Sequence, residues 1–191
     1  MVATIMPLDQ SALFHEIPER FNPVVDILER WAAEDPAATA LISIGEQGQP
    51  ALIQSVAELV LETQRMARAL IGLGVGKGDR VLIMMSRVPA WYTAILGSLR
   101  LGAVVVPTPA QCTGRDIAYR IRAANPAAII ADESAAMRIR DVVNERSTVK
   151  HRILWSPRGT KTPGWHDLNS LLAAAPSGNV PLDPTNVVLH N

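Results

Sequence analysis

Cysteine is almost missing from this chain, with one thiol, Cys112, in 191 residues. A lone cysteine closes no internal disulfide, which excludes a secreted disulfide scaffold and points to a reducing compartment. An excess of either charge is missing too, because 18 Lys and Arg balance 18 Asp and Glu. That balance offers no electrostatic footprint for nucleic acid or an anionic membrane. The start of the chain carries no basic segment followed by an apolar one, so no secretory signal is expected and a cytoplasmic location is. The histidines His15, His151, His166 and His190 form no pair at i, i+3 or i+4 and have no cysteine neighbour, so no zinc site is read from them. No G-x-S-x-G nucleophile elbow occurs. Long apolar runs are lacking as well. The stretch 90–107, AWYTAILGSLRLGAVVVP, is broken by Arg100, and a mid-span charge costs about 3 kcal/mol even on lenient insertion scales. It reads as a buried helix running into a buried strand, without a membrane span.

What is present is a core. Hydrophobic residues make up 48% of the chain, which excludes disorder, and a chain of this size hides about 70% of its unfolded surface on folding. Residues 1–20 lack a period and are expected to form an N-terminal arm. Asn22-Pro23 then supplies a cap and a first helical residue. Val24, Ile27, Leu28 and Trp31 follow at i, i+3, i+4 and i+7, which predicts one buried helix face ending at Asp35-Pro36. Strands are expected at 40–44 and 51–54, joined by the turn Gly45-Glu46-Gln47-Gly48 as a small edge hairpin. Ser55 and Glu58 form a capping box for a helix that turns Leu59, Met66, Ala69 and Leu70 inward and ends at Gly72.

Beyond residue 79 the alternation is regular. Strands are expected at 80–85, 103–106, 127–131 and 152–155, and helices at 89–101, 115–124, 133–145 and 165–175. Strand runs apolar on both faces are buried on both faces, and strands alternating with helices imply βαβ crossovers. The fold class is therefore α/β: a doubly wound, mostly parallel, flavodoxin-like sheet of four or five strands. Residues 21–175 form this unit. Residues 176–191 read as a linker and the beginning of a further strand, Val187-Val188-Leu189, so the chain is expected to continue in a longer parent.

The glycines at 72, 74, 76 and 78 alternate after a helix and before a strand, the wrong spacing and context for a dinucleotide fingerprint. Gly78 follows Lys77 where a Walker loop needs Ser or Thr. This segment is read as a helix end and tight turn. Cys112 has no activating histidine nearby and is read as incidental. Asp132 stands at a strand end, where open α/β sheets place ligands, but capping the next helix is the preferred reading. The loop 107–116 is the most suggestive segment. Two prolines stiffen it, it follows a very apolar strand, and it presents Gln111 and Thr113, the latter also a plausible helix cap.

Taken together, Asn22-Pro23 with Trp31, the run LGVGKGDRVLIMMSRVPAWYTAILGSLRLGAVVVPTPAQCTGRDIAYRI, Pro126 to Asp132, and Gly164-Trp165-His166-Asp167-Leu168 resemble the N-terminal part of adenylate-forming (AMP-binding) acyl-CoA synthetases. The medium-chain acyl-CoA synthetase group is the one most resembled, through Gly78-Asp79-Arg80-Val81, Arg87-Val88-Pro89-Ala90-Trp91-Tyr92, Gln111 and Asp116-Ile117-Ala118-Tyr119-Arg120. Ala90 replaces the group's usual Glu, Tyr92 its second Trp, and Thr-Pro-Ala-Gln its commoner Gly-Thr-x-Gln loop. The resemblance implies a ligase that joins a carboxylate to ATP as an acyl-adenylate and then lets the CoA thiol displace AMP. ATP, Mg²⁺ and CoA are thus implied for the full-length enzyme. The family's Ser/Thr-Gly-rich phosphate loop does not occur in this sequence. The isolated chain is therefore expected to be inactive, with no catalytic residue, no metal ligand and no bound cofactor of its own. Its implied partner is the remainder of the same polypeptide, a second subdomain and a C-terminal lid, and an uncovered docking face makes self-association expected. Gln111 falls on the loop that the family places near CoA, where an amide can bond a pantetheine amide or a phosphate oxygen. Trp91 and Tyr92 are read as packing residues. The alternative is a stand-alone flavodoxin-like nucleotide-binding or scaffold module without ligase activity.

Overall fold

The computed structural model describes residues 21–45, 48–143 and 149–176. The expected arm over 1–20 and all of the expected linker and strand except Pro176 lie outside the described residues. A π-helical segment, Val24–Glu29, leads into α1 (Arg30–Glu34). Asn22 caps it as its side-chain chemistry dictates, Oδ1 accepting from the backbone N–H groups of Val24 at 3.0 Å and Val25 at 3.4 Å. The expected apolar face is not formed. Val24 is buried, whereas Ile27 is 51% and Trp31 63% exposed. The wider i→i+5 turn shifts every later side chain off the 3.6-residue stripe on which that expectation rested.

Strands β1 (Thr39–Ile44) and β2 (Pro50–Ser55) pair antiparallel as their own two-stranded sheet. α2 (Val56–Gly72) opens on the expected capping box: Glu58 N–H donates to Ser55 Oγ, and Ser55 N–H donates to Glu58 Oε2. Leu59, Met66, Ala69 and Leu70 are all buried. The glycine-rich stretch that follows is a turn, with Gly74 and Gly78 at positive φ (78° and 79°) and Gly76 N–H bonded to Asp79 Oδ2.

A regular series follows: β3 (Arg80–Met84), α3 (Pro89–Leu101), β4 (Val104–Pro107), α4 (Gly114–Ala124), β5 (Ala128–Asp132), α5 (Glu133–Arg140), β6 (His151–Trp155), β7 (His166–Asp167) and α6 (Leu168–Ala174). The last helix was expected from 165. His166 and Asp167 instead pair with Ile153 and Leu154 as β7, and Asp167 then caps α6 through Ser170 N–H. α5 stops at Arg140, short of the expected 145. Residues 144 and 145 lie outside the described residues.

All pairings of the large sheet are parallel, in the order β4-β3-β5-β6-β7. Alternate residues of the central strands enter two cores, one per face. Val81, Ile83, Ala128, Ile130 and Ile153 meet Met66, Leu70 and Ala94 of α2 and α3. Leu82, Met84, Ile129, Ala131 and Leu154 meet Ile117 and Ile139 of α4 and α5. This is the doubly wound layer that the strand composition called for. β4 is the exception. Its valines were expected to be buried on both faces, but it lies at the sheet edge and leaves Val104 50% exposed.

Arg100 is a buried side chain of α3, and among the described residues no helix is long and apolar enough to cross a membrane.

Candidate functional site

The chain leaves β3 to form β4 on one side, then crosses back over to form β5 on the other. Open α/β sheets bind ligands outside the carboxyl ends of strands where the order reverses in this way. Two loops leave the sheet there, 85–88 after β3 and 108–113 after β4. Between them lies a cavity of about 570 Å³, bounded by Met85, Ser86, Arg87 and Trp91 on one wall and by the stretch Pro107 to Gln111 on the other. That volume suits a small-molecule site.

Gln111, the one binding residue named from the sequence, lies on this wall and is solvent-exposed. Its loop is tied down on both sides. Thr108, 5% exposed, donates its backbone N–H to Ile83 O at 2.8 Å. Thr113 caps α4: Asp116 N–H donates to Thr113 Oγ1, and Thr113 N–H and Oγ1–H donate to Asp116 Oδ2. These two Thr113 bonds, the hydroxyl's foremost, hold the Asp116 carboxyl below its usual range. Thr113 is thus committed to the cap. Cys112 is half-buried beside the second core. Trp91 both packs on the first core and lines the cavity, edge-on to Tyr92 at 5.0 Å.

Asp132 caps α5, accepting from Ala135 N–H at 2.9 Å and Ser134 Oγ at 3.1 Å through Oδ1. Its other oxygen reaches the neighbouring strand end, accepting from both the N–H and the hydroxyl of Ser86 at 2.8 Å. Burial pushes this carboxyl up, but the donors around it outweigh burial and leave it below its ordinary value. The sequence showed the cap but not the bond to Ser86. A Ser after one strand and an Asp ending another become partners only once β3 and β5 are known to be neighbours.

Farther along the sheet, Ser156 organises the loop after β6. Its hydroxyl donates to Glu133 Oε1 at 2.7 Å and accepts from the backbone N–H groups of Arg158 and Thr160. Hydrogen bonds from Thr160 and then Ser156 lower the Glu133 carboxyl's pKa. Among the described residues no group of three or more His, Cys, Asp or Glu side chains could hold a metal ion. The donors around the 570 Å³ cavity, Gln111 and Arg87 beside the Trp91 and Met85 surfaces, do fit a ligand with amide or phosphate groups.

Fold and cleft together define a doubly wound α/β domain with a cavity at its strand ends. The chain belongs to the AMP-binding enzyme family, whose model matches residues 28–189. It is 31% identical over 166 residues to the acyl-coenzyme A synthetase ACSM2B, mitochondrial, of Homo sapiens, covering 84% of this chain and 28% of that protein. It is 29% identical over 180 residues to ACSM2, mitochondrial, of Rattus norvegicus, covering 91% of this chain and 31% of that protein. The fold matches an acyl-CoA synthetase from Brucella canis with a TM-score of 0.77 at 20% identity, over 90% of this chain and 31% of that one. It also matches the N-terminal domain of FACL13 from Mycobacterium tuberculosis with a TM-score of 0.69 at 20% identity, over 82% of this chain and 37% of that one. The chain thus spans less than a third of the length of these two curated relatives.

Proposed function

We propose that this chain serves as the N-terminal subdomain, residues 21–175, of a longer ATP-dependent acyl-CoA synthetase that converts a carboxylate, ATP and CoA to acyl-CoA, AMP and pyrophosphate. The observation that carries this reading is the family match over 28–189 in a chain whose strand-end cavity has Gln111 on its wall. When bound, CoA supplies the thiol that attacks the acyl-adenylate. The chain's own part is to bind and orient. The Gln111 amide bonds a pantetheine amide or a phosphate oxygen, the Arg87 guanidinium complements phosphate charge, and Trp91 and Met85 keep one wall apolar. The second subdomain and the lid, within the rest of the polypeptide, complete the site with the groups that bind ATP and Mg²⁺.

The test is ATP–pyrophosphate exchange by the full-length parent with a series of straight-chain carboxylates from butyrate to decanoate. Exchange with at least one of them is expected, and no exchange with any overturns the ligase reading. The isolated chain is expected to show neither exchange nor ATP binding, and submillimolar ATP affinity would contradict this placement of the nucleotide site. A reading frame that continues past Asn191 into a Ser/Thr-Gly-rich segment agrees with this reading, whereas a natural stop favours the stand-alone module. Exposed Ile42, Ile53 and Val104 support self-association of the isolated chain, and a clean monomer by light scattering at high concentration would refute it. The full-length parent is placed in the cytoplasm on this reading. Fractionation of cells making the full-length parent checks it against the mitochondrial location in the relatives' names.

A further inference from the structure

We propose that Asp132 is a positioning residue for the Gln111 cavity, setting CoA affinity through Ser86 without touching the ligand. The inference rests on the reading of that cavity as part of the CoA site. Asp132 is 6% exposed and is not among the residues that line the cavity. From its carboxylate a continuous series of bonds runs into the cavity wall. Ser86 N–H and Oγ–H donate to Asp132 Oδ2, Val88 N–H donates to Ser86 O at 2.8 Å, and Trp91 N–H donates to Val88 O at 2.9 Å. Ser86, Arg87 and Trp91 all line the cavity. This wall is therefore anchored on β5, a strand that contributes no lining side chain of its own. The facing wall is anchored separately by Thr108 on β3. The distance between Arg87 and Gln111 follows from both anchors, and small misplacements of binding groups are costly.

The two oxygens of Asp132 divide the work. Oδ1 serves the α5 cap and Oδ2 serves Ser86. Asp132→Asn can keep one acceptor on the cap, but its amide NH₂ then faces the Ser86 N–H, donor against donor. The substitution thus releases the wall while the helix keeps its cap. Ser86→Ala removes only the hydroxyl bond. Ser134→Ala removes a bond on the cap side and leaves Ser86 held.

The experiment measures CoA binding to the full-length parent by calorimetry, together with the KM for CoA in thioester formation and the rate of ATP–pyrophosphate exchange. Asp132→Asn is expected to weaken CoA about tenfold and to raise its KM by a similar factor, with exchange largely retained. Ser86→Ala is expected to show a smaller loss in the same direction, and Ser134→Ala none. Wild-type CoA affinity in a folded Asp132→Asn protein overturns the inference. So does a parallel fall of exchange and CoA binding, the sign of a merely structural role. If Asp132→Asn does not fold, Ser86→Ala decides, and wild-type CoA affinity there is the overturning result. Gln111→Ala separates the two levels. Unchanged CoA affinity in that variant removes the cavity reading and this inference with it. Weakened affinity there beside an unaffected Asp132→Asn removes this inference alone.

Discussion

Arg100 Nε and Glu29 Oε1 lie 2.6 Å apart, with the arginine side chain 1% and the glutamate 20% exposed. The pair ties the π-helical segment to the end of α3. Asn22 Nδ2 reinforces the same junction by donating to the carbonyls of Leu99 and Arg100. Gln64 Nε2 also reaches Glu29 Oε1, at 3.3 Å. Removing the carboxylate breaks a charge-assisted hydrogen bond to a buried guanidinium, so Glu29→Ala is expected to destabilise the chain by about 2 kcal/mol. Urea denaturation measures this, and a loss below about 1 kcal/mol would show the pair to be no stronger than a surface contact.

Gly97 sits where α3 crosses α2. A Cβ built there would lie 2.5 Å from Cβ and Cγ of Met66 and 3.1 Å from Thr63 O. Those atoms are the root of a side chain and a backbone carbonyl, so the helices themselves must move. Gly→Ala inside a helix usually gains roughly 0.5–1 kcal/mol. Here overpacking reverses the sign, and Gly97→Ala is expected to lose about 1–3 kcal/mol. A stabilised variant in thermal or urea unfolding would refute the close approach.

His151 gives the chain a pH dependence near neutrality. Burial lowers its pKa below the usual 6.5, and the cationic forms of His166 and Lys150 push it the same way, against a hydrogen bond to the Leu73 backbone. The His151 and His166 rings are 5.8 Å apart. The unfolded chain therefore takes up the proton first as pH falls. The contribution of His151 is complete above 6.5 and is lost below it, towards the lower folded value. The urea midpoint is expected to fall between about pH 7.5 and about pH 5.5, and less steeply in His151→Gln. An identical slope in the variant would remove His151 as the cause.

Gln111 is exposed, so Gln111→Ala is expected to change stability by less than about 0.5 kcal/mol. Thr113→Ala, two residues along, loses the α4 cap and is expected to cost about 1 kcal/mol. Thermal unfolding of the two variants thus separates a binding residue from a structural one on the same loop, and equal losses would refute the division.

Much of the architecture was legible because its causes are local. The Ser55–Glu58 capping box, the Thr113 cap of α4, the span Pro89–Leu101 and the turn glycines at 74 and 78 each depend on residues a few positions apart. The all-apolar central strands announced burial on both faces, and with it a parallel sheet. Gln111 was legible as a candidate because a stiff polar loop after a strand belongs to the ligand edge of such a sheet. Trp31 misled because its spacing presupposed a 3.6-residue turn, and the π-helical segment before it breaks that period.

The sequence by itself determined most element types, several caps, the doubly wound class and the family, since these are written in short-range pattern and ordered motifs, but not the π-helical turn at Val24–Glu29 or the short strand at His166–Asp167. Only the tertiary structure decided which strands are neighbours. That order left the three valines of β4 at the sheet edge and brought Ser86 to Asp132 across 46 positions of chain. Strand composition records how much apolar surface must be covered, but not by which partner. The partner is settled when the crossovers pack, and the cavity wall takes its shape from that choice.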